Sequence, residues 1–286
     1  MGYQLTRRAA AACAMALGLS APAPASAGHS IFHVFTPAIE AGAWGVEALS
    51  AFNTGLPSAG EHTPLQAAHE LAIHTGVNEY WMAKLALGIE KPAGDSYQLN
   101  SIALENVFRV SSPPHGPFDA AWFTALSAGI DADATHAVEF GPVLTFDSGP
   151  FALVINPFLE KTFGDNREPG IALTYGWRAT YRISDLFSIG AEGYGAVEDL
   201  GNTPPARDQI HRVGPVLYLG HVHGATNGIH GAGHAGHGEG HRYAKEHGHA
   251  SAPGHLPEWH GEIGVLFGLT NATDDAAIKF NFGADF

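Results

Sequence analysis

Residues 277–286 (AIKFNFGADF) constrain this chain more than any other stretch. Ile278, Phe280, Phe282, Ala284 and Phe286 fall on one face of an extended strand, and Lys279, Asn281, Gly283 and Asp285 on the other. One face is apolar and mostly aromatic, and the opposite face is polar or small. In lipid, an open sheet edge leaves backbone donors and acceptors unpaired, so strands cross a bilayer only as a closed barrel. The stretch therefore reads as the closing strand of a membrane-spanning antiparallel barrel.

The opposite end supports export. Arg7 and Arg8 precede an apolar run over 9–19, and Ala25, Ser26 and Ala27 make an A-x-A cleavage site. We expect a secretory signal over 1–27 and a mature chain over 28–286. The apolar run is shorter than the roughly 18 residues a spanning helix needs. Thr6, Arg7 and Arg8 only faintly suggest a twin-arginine signal, since barrels cross the inner membrane unfolded. Cys13 is the single cysteine and lies in the signal, which leaves the mature chain without disulfides or thiolate metal sites. Without Arg7 and Arg8 the chain holds 12 basic against 28 acidic residues, a net charge of −16. That charge argues against nucleic acid and against anionic lipid surfaces as partners.

Twelve candidate strands follow, over about 42–53, 64–75, 79–90, 97–110, 118–130, 135–146, 150–163, 170–182, 186–198, 207–221, 259–270 and 275–286. In the third, Trp81, Ala83, Leu85, Leu87 and Ile89 oppose Met82, Lys84 and Glu90; in the eighth, Leu173, Tyr175, Trp177 and Tyr181 oppose Thr174, Arg178 and Arg182. The fourth and fifth alternate poorly, and a bulge would explain that. Gly, Asn and Asp clusters separate the strands, as at Gly164, Asp165 and Asn166. Trp44, Tyr80, Trp81, Trp122, Tyr181 and Trp259 sit near strand ends, where aromatic girdles belong. The expected fold is all-β: one antiparallel transmembrane barrel of about twelve strands.

A His/Gly-rich insertion over 222–258 interrupts this pattern. His221, His223, His230, His234, His237, His241, His247, His249 and His255 interleave with glycines, which argue against a helix. Imidazole suits Zn, Ni and Cu(II), so weak, exchangeable metal sites are expected, with no cofactor required. Parity of strand crossings places this insertion on the same side as Phe286, the periplasmic side in barrels of this kind. A solvated insertion without a metal, or a pH-responsive one, accounts for the same composition.

The polar faces supply Glu70, Lys84, Glu139, Glu160, Arg178, Arg182, Glu192, Arg212, Glu262 and Lys279 as candidate lumen residues. Mixed signs in a narrow barrel point to ion-pair packing or a constricted polar path. A nucleophile needs a serine beside an oriented histidine. Ser50, Ser101, Ser127 and Ser188 lie on strands outside any such motif, and G-x-S-x-G is absent, so no enzyme is expected.

The chain resembles bacterial outer-membrane barrels of the transporter type related to the meta-pathway phenol-degradation barrels. The resemblance is carried by PAIEAGAWGVEALSAF (37–52), ELAIHTGVNEYWMAKLALGIEK (70–91), NSIALENVFRV (100–110) and GEIGVLFGLTNATDDAAIKFNFGADF (261–286). It implies about twelve strands, passage of small and often hydrophobic solutes, and recognition of Phe286 by the barrel-assembly machinery. The expected partners are outer-membrane lipid, that machinery, and a small solute or divalent metal. The His-rich insertion departs from the pattern. It is similar to tracts in copper-resistance outer-membrane barrels, which are Met-rich as well and carry the tract at the N-terminus. Three functions compete: a solute channel, a metal-handling barrel, and a structural barrel with a closed lumen.

Overall fold

Alternation of side chains dictates the architecture. A computed structural model describes residues 31–54, 65–92, 94–111, 117–130, 134–220 and 257–286. The strands are β1 (Trp44–Thr54), β2 (Gln66–Asn78), β3 (Trp81–Lys91), β4 (Gln98–Arg109), β5 (Phe118–Gly129), β6 (Thr135–Ser148), β7 (Phe151–Gly164), β8 (Ala172–Ser184), β9 (Phe187–Val197), β10 (Ile210–Gly220), β11 (Glu258–Gly268) and β12 (Ala276–Asp285). Each pairs antiparallel with its neighbours, and β1 closes on β12 from Gly45↔Asp285 to Thr54↔Ala276. The sheet is thus a closed twelve-stranded barrel. The segment 207–209, expected within β10, holds part of a short 3₁₀ turn instead (Ala206–Asp208).

The apolar faces point outward. Ile278, Phe280 and Phe282 are 41–53% exposed, whereas the intervening Lys279 is fully buried. Large exposed side chains recur on every strand, among them Leu71, Leu85, Leu104, Leu126, Ile189 and Leu217. A continuous apolar band of this kind is ruinous in water and is what a bilayer requires. Aromatic pairs girdle one rim: Trp44 on Phe286, Trp81 on Phe108, Phe118 on Phe146, Phe151 on Tyr181 and Trp259 on Phe282. We term this the C-terminal rim.

The two rims differ. At the C-terminal rim the β2–β3, β6–β7 and β8–β9 connections span two residues each. Gly149 adopts φ +60° in one of them, a conformation that a side chain rarely takes. At the distal rim the β7–β8 and β9–β10 connections cover 165–171 and 198–209.

Irregular strands have identifiable causes. In β4, Gly88 pairs with Ser101 and Ile89 with Leu99, so Asn100 is an extra residue at a bulge. In β5 the bulge explanation fails: its register is unbroken against β4 and β6. Its alternation looks poor because the inward residues Ala121, Phe123 and Ala125 are themselves apolar. Pro142 and Pro157 interrupt the β6–β7 ladder between Phe140↔Leu159 and Leu144↔Ile155, as residues without an N–H must.

Candidate functional site

The apolar inner wall of β5 exists because something packs on it. Residues 31–43, ahead of β1, run inside the barrel. Phe35 is buried against Val107, Ala121, Phe123, Ala125, Val143 and Phe158, with its ring centroid 4.3 Å from that of Phe123. Val34 packs with Val154, Tyr194, Leu266 and Ala277. The backbone is held as firmly. Asn156 accepts from the Phe35 N–H (2.7 Å) and donates to the Phe35 carbonyl (3.1 Å), a two-point amide clasp. The Phe32 carbonyl lies 2.8 Å from the Tyr194 hydroxyl and accepts from Lys279 Nζ at 2.9 Å. Near the C-terminal rim, Gly42 and Ala43 bond the backbone of Gly76. The Glu40 carbonyl leaves no room for a side chain at Gly76, so the chain passes there because residue 76 is glycine.

Two buried ion networks flank this segment. In the first, Lys84 Nζ lies 3.1 Å from Glu47, 2.9 Å from Glu70 and 3.3 Å from Glu105, and its ammonium sits 5.5 Å from the Phe35 ring centre. One lysine thus serves three carboxylates. In the second, Lys279 Nζ lies 2.5 Å from Glu192 and 2.7 Å from Glu262, and Arg178 lies 3.4 Å from Glu262. Tyr218 donates to Glu192 at 2.9 Å and Asn281 to Glu262 at 3.1 Å. Desolvating such charges costs several kcal/mol per ion, which only multiple close partners offset. These networks fix geometry more than they add stability.

The ten sequence-derived lumen candidates therefore separate. Lys84 and Glu70 share the first network; Arg178, Glu192, Glu262 and Lys279 share the second. Glu139 and Glu160 are buried directly opposite one another on β6 and β7, with Thr174 donating to Glu139 at 2.7 Å. Arg212 sits apart near the distal rim, 3.6 Å from Asp274 and 4.7 Å from the centre of the Phe32 ring. Burial raises the Asp274 carboxyl above its ordinary range, against the pull of Arg212. Arg182 lies near the end of β8 at the C-terminal rim. Sequence reasoning missed Asn156, Tyr194 and Tyr218, and missed the luminal course of 31–43. The one signal for Asn156 was a lone amide inside the apolar run VINPF.

The histidines His221, His223, His230, His234, His237, His241, His247, His249 and His255 lie outside the described residues. Among the described residues, no three His, Cys, Asp or Glu side chains form a preassembled metal centre. Ser50 does meet a histidine: its Oγ lies 2.9 Å from His69 Nδ1 on the outer wall. The His69 ring is bordered by Phe52 and Tyr97, with no orienting carboxylate among its described contacts. That arrangement falls short of the three-part constellation a serine nucleophile uses.

Comparison with known proteins places the fold. No family model matches the chain, and no curated protein matches it. The chain is similar in structure to the COG4313 outer membrane channel from Pseudomonas putida F1, at 8% identity and a TM-score of 0.53, covering 87% of this chain and 97% of that one. It also matches the NanC porin at 9% identity and a TM-score of 0.47, covering 84% and 98%. At 8% identity the likeness to the COG4313 outer membrane channel shows a shared barrel fold.

Proposed function

We propose that this protein is a non-enzymatic outer-membrane channel or transporter for small solutes, closed at rest by residues 31–43. The observation that carries the reading is the luminal segment itself. It is held by side-chain contacts and a few hydrogen bonds, all of which a passing solute or the segment's own movement can replace. The outward apolar band and the girdle support a place in the outer membrane. The short turns at the C-terminal rim support a periplasmic assignment for that rim, with Phe286 presented to the assembly machinery. The lumen beside Phe35 and Phe123 is apolar, which fits the small hydrophobic solutes of the meta-pathway phenol-degradation barrels. Nucleic acid is not a partner in this reading.

Planar-bilayer recording tests it. The wild-type chain is expected to conduct in brief, small steps, and Phe35→Ala to lengthen and enlarge them. Absence of conductance in both, with the barrel folded, favours instead a structural barrel with a permanently filled lumen.

A second reading, metal handling, is favoured by topology. Residues 221–257 join β10 to β11 at the C-terminal rim, on the same side as residue 286. Calorimetric titration of Zn, Ni and Cu(II) is expected to show micromolar, multiple-site binding. Binding no tighter than millimolar removes this reading.

A further inference from the structure

The barrel wall reads three separate features of Phe35. Its ring fills a pocket made by Val107, Val143, Phe123 and Phe158. Phe123 and Phe158 stack on each other at 4.5 Å, and the Phe35 ring centre lies 4.3 Å from the first and 6.2 Å from the second. Lys84 Nζ stands 5.5 Å from the same ring centre, within cation–π range. The N–H and the C=O of Phe35 both go to the Asn156 side chain, at 2.7 and 3.1 Å. An aromatic ring, an amide donor and an amide acceptor are what this pocket receives.

Asn156 makes the pocket selective. It is 1% exposed and stands in the apolar run of Val154, Ile155, Pro157 and Phe158. Its carboxamide offers an acceptor and donors in a place that solvent does not reach. An occupant without a matching N–H and C=O leaves those atoms unpaired, and an unpaired buried polar group is costly. A site built around such a group discriminates strongly against analogues that lack the hydrogen-bonding partner. A plain hydrocarbon ring therefore fits the pocket and fails the amide.

The segment bends to meet this wall. Phe32, three residues upstream, holds φ +45°, a left-handed conformation that bulky side chains rarely adopt. Its carbonyl is anchored there by Lys279 Nζ at 2.9 Å. A free molecule with only the features of Phe35 has no such residue to bend.

We propose that the Phe35 pocket is the solute site, and that its ligand class is a small aromatic molecule bearing a secondary amide, as in an N-acylated phenylalanine or a short phenylalanine-containing peptide. The inference rests on the channel reading, with residues 31–43 as the closure. Phe35 is then a tethered copy of the solute. A short tether holds its ligand at an effective concentration on the order of millimolar, so a free solute competes in that range. Binding of that strength lets a solute enter and also leave.

The test is hydrogen exchange on the wild-type chain in the presence of N-acetyl-phenylalanine methylamide. A ligand that takes the vacated pocket stabilises the undocked state by mass action, so a probe at about ten times its Kd accelerates exchange over 31–40 about ten-fold. N-acetyl-alanine methylamide keeps the amide and lacks the ring; toluene keeps the ring and lacks the amide. The expected result is acceleration by the phenylalanine derivative alone, with exchange in the barrel strands unchanged. No acceleration by that derivative overturns the proposal. Equal acceleration by toluene or by the alanine derivative overturns it as well, as does acceleration spread over the strands. Conductance plays no part in the measurement, so its failure leaves the channel reading to the bilayer recording.

Discussion

The two sides of the lumen are built from opposite materials. From β4 to β7 the inner wall at mid-height is apolar: Val107, Ala121, Phe123, Val143 and Phe158 gather around one ring, Phe35. The ionic side is centred on the remaining strands, where Lys84 and Lys279 each stand amid a carboxylate cluster, with Tyr194, Leu266 and Ala277 as an apolar patch that receives Val34. The luminal segment lies between them, its Phe35 side chain to the apolar wall and its Phe32 carbonyl to Lys279. The difference assigns separate work. The ionic wall is cross-strand and holds the barrel's own geometry, whereas the apolar wall has a single removable partner and sets whether the lumen is filled. Loss of an ionic centre should damage the barrel, and loss of an apolar contact should free only the segment.

The largest expected effect is Lys84→Ala. It strands Glu47, Glu70 and Glu105 without their shared cation, and breaking a buried ion pair costs about 3–5 kcal/mol. Heat-modifiable electrophoretic migration is expected to be lost or shifted to much lower temperature. Wild-type migration would place the charges outside the barrel's stability and dissolve the comparison. Phe35→Ala comes next. Removing a buried phenylalanine costs about 3–5 kcal/mol in a core, but here the loss falls on docking of the segment. Hydrogen exchange over residues 31–40 is expected to accelerate strongly, while the barrel's melting stays within a few degrees of wild type. A large fall in barrel stability would show that the apolar wall is structural as well.

Asn156→Ala removes both points of the clasp on Phe35. It leaves the Phe35 amide without a partner, at about 1–3 kcal/mol. The same exchange experiment is expected to show an intermediate acceleration over 31–40. Tyr194→Phe is the smallest, at about 0.5–1.5 kcal/mol, since Lys279 still serves the Phe32 carbonyl. It sharpens the comparison by testing whether the ionic wall contributes to docking at all; no measurable change would confine docking to the apolar side.

Most of the barrel was legible because lipid enforces a rule on every strand. Strands such as β3 and β12 write apolar-out and polar-in plainly, and their limits fell within about two residues of expectation. The twelve-strand count followed from repeats of that rule. The contents of the lumen were not legible. Residues 31–43 carry Phe32, Val34, Phe35 and Pro37, a short apolar run that fits equally a strand, a linker or a plug. Nothing in its pattern names the wall that receives it. The receiving wall was visible only as a blemish, the weak alternation of β4 and β5. Part of that blemish is the Asn100 bulge, and the rest is an inward Phe123 waiting for Phe35. The charged networks were half legible: parity assigned Lys84, Glu192, Glu262 and Lys279 to one face, but which acid meets which base depends on tilt across strands far apart in sequence. The closing seam shows the same limit: the hydrogen bond between His74 and Asp285 joins side chains 211 residues apart that meet only when β1 closes on β12.

The central claim is that residues 31–43 are the closure of the barrel. The most direct measurement locks them in place. Val34 and Val154 share one buried cluster inside the lumen, so the pair Val34→Cys and Val154→Cys is the cross-link to make, in a chain whose one native cysteine, Cys13, lies in the expected leader. Single-channel recording is then made on the same preparation before and after reduction. The account predicts silence when oxidised and openings when reduced, reversible on reoxidation. Equal conductance in the two states, with the cross-link verified, would contradict it.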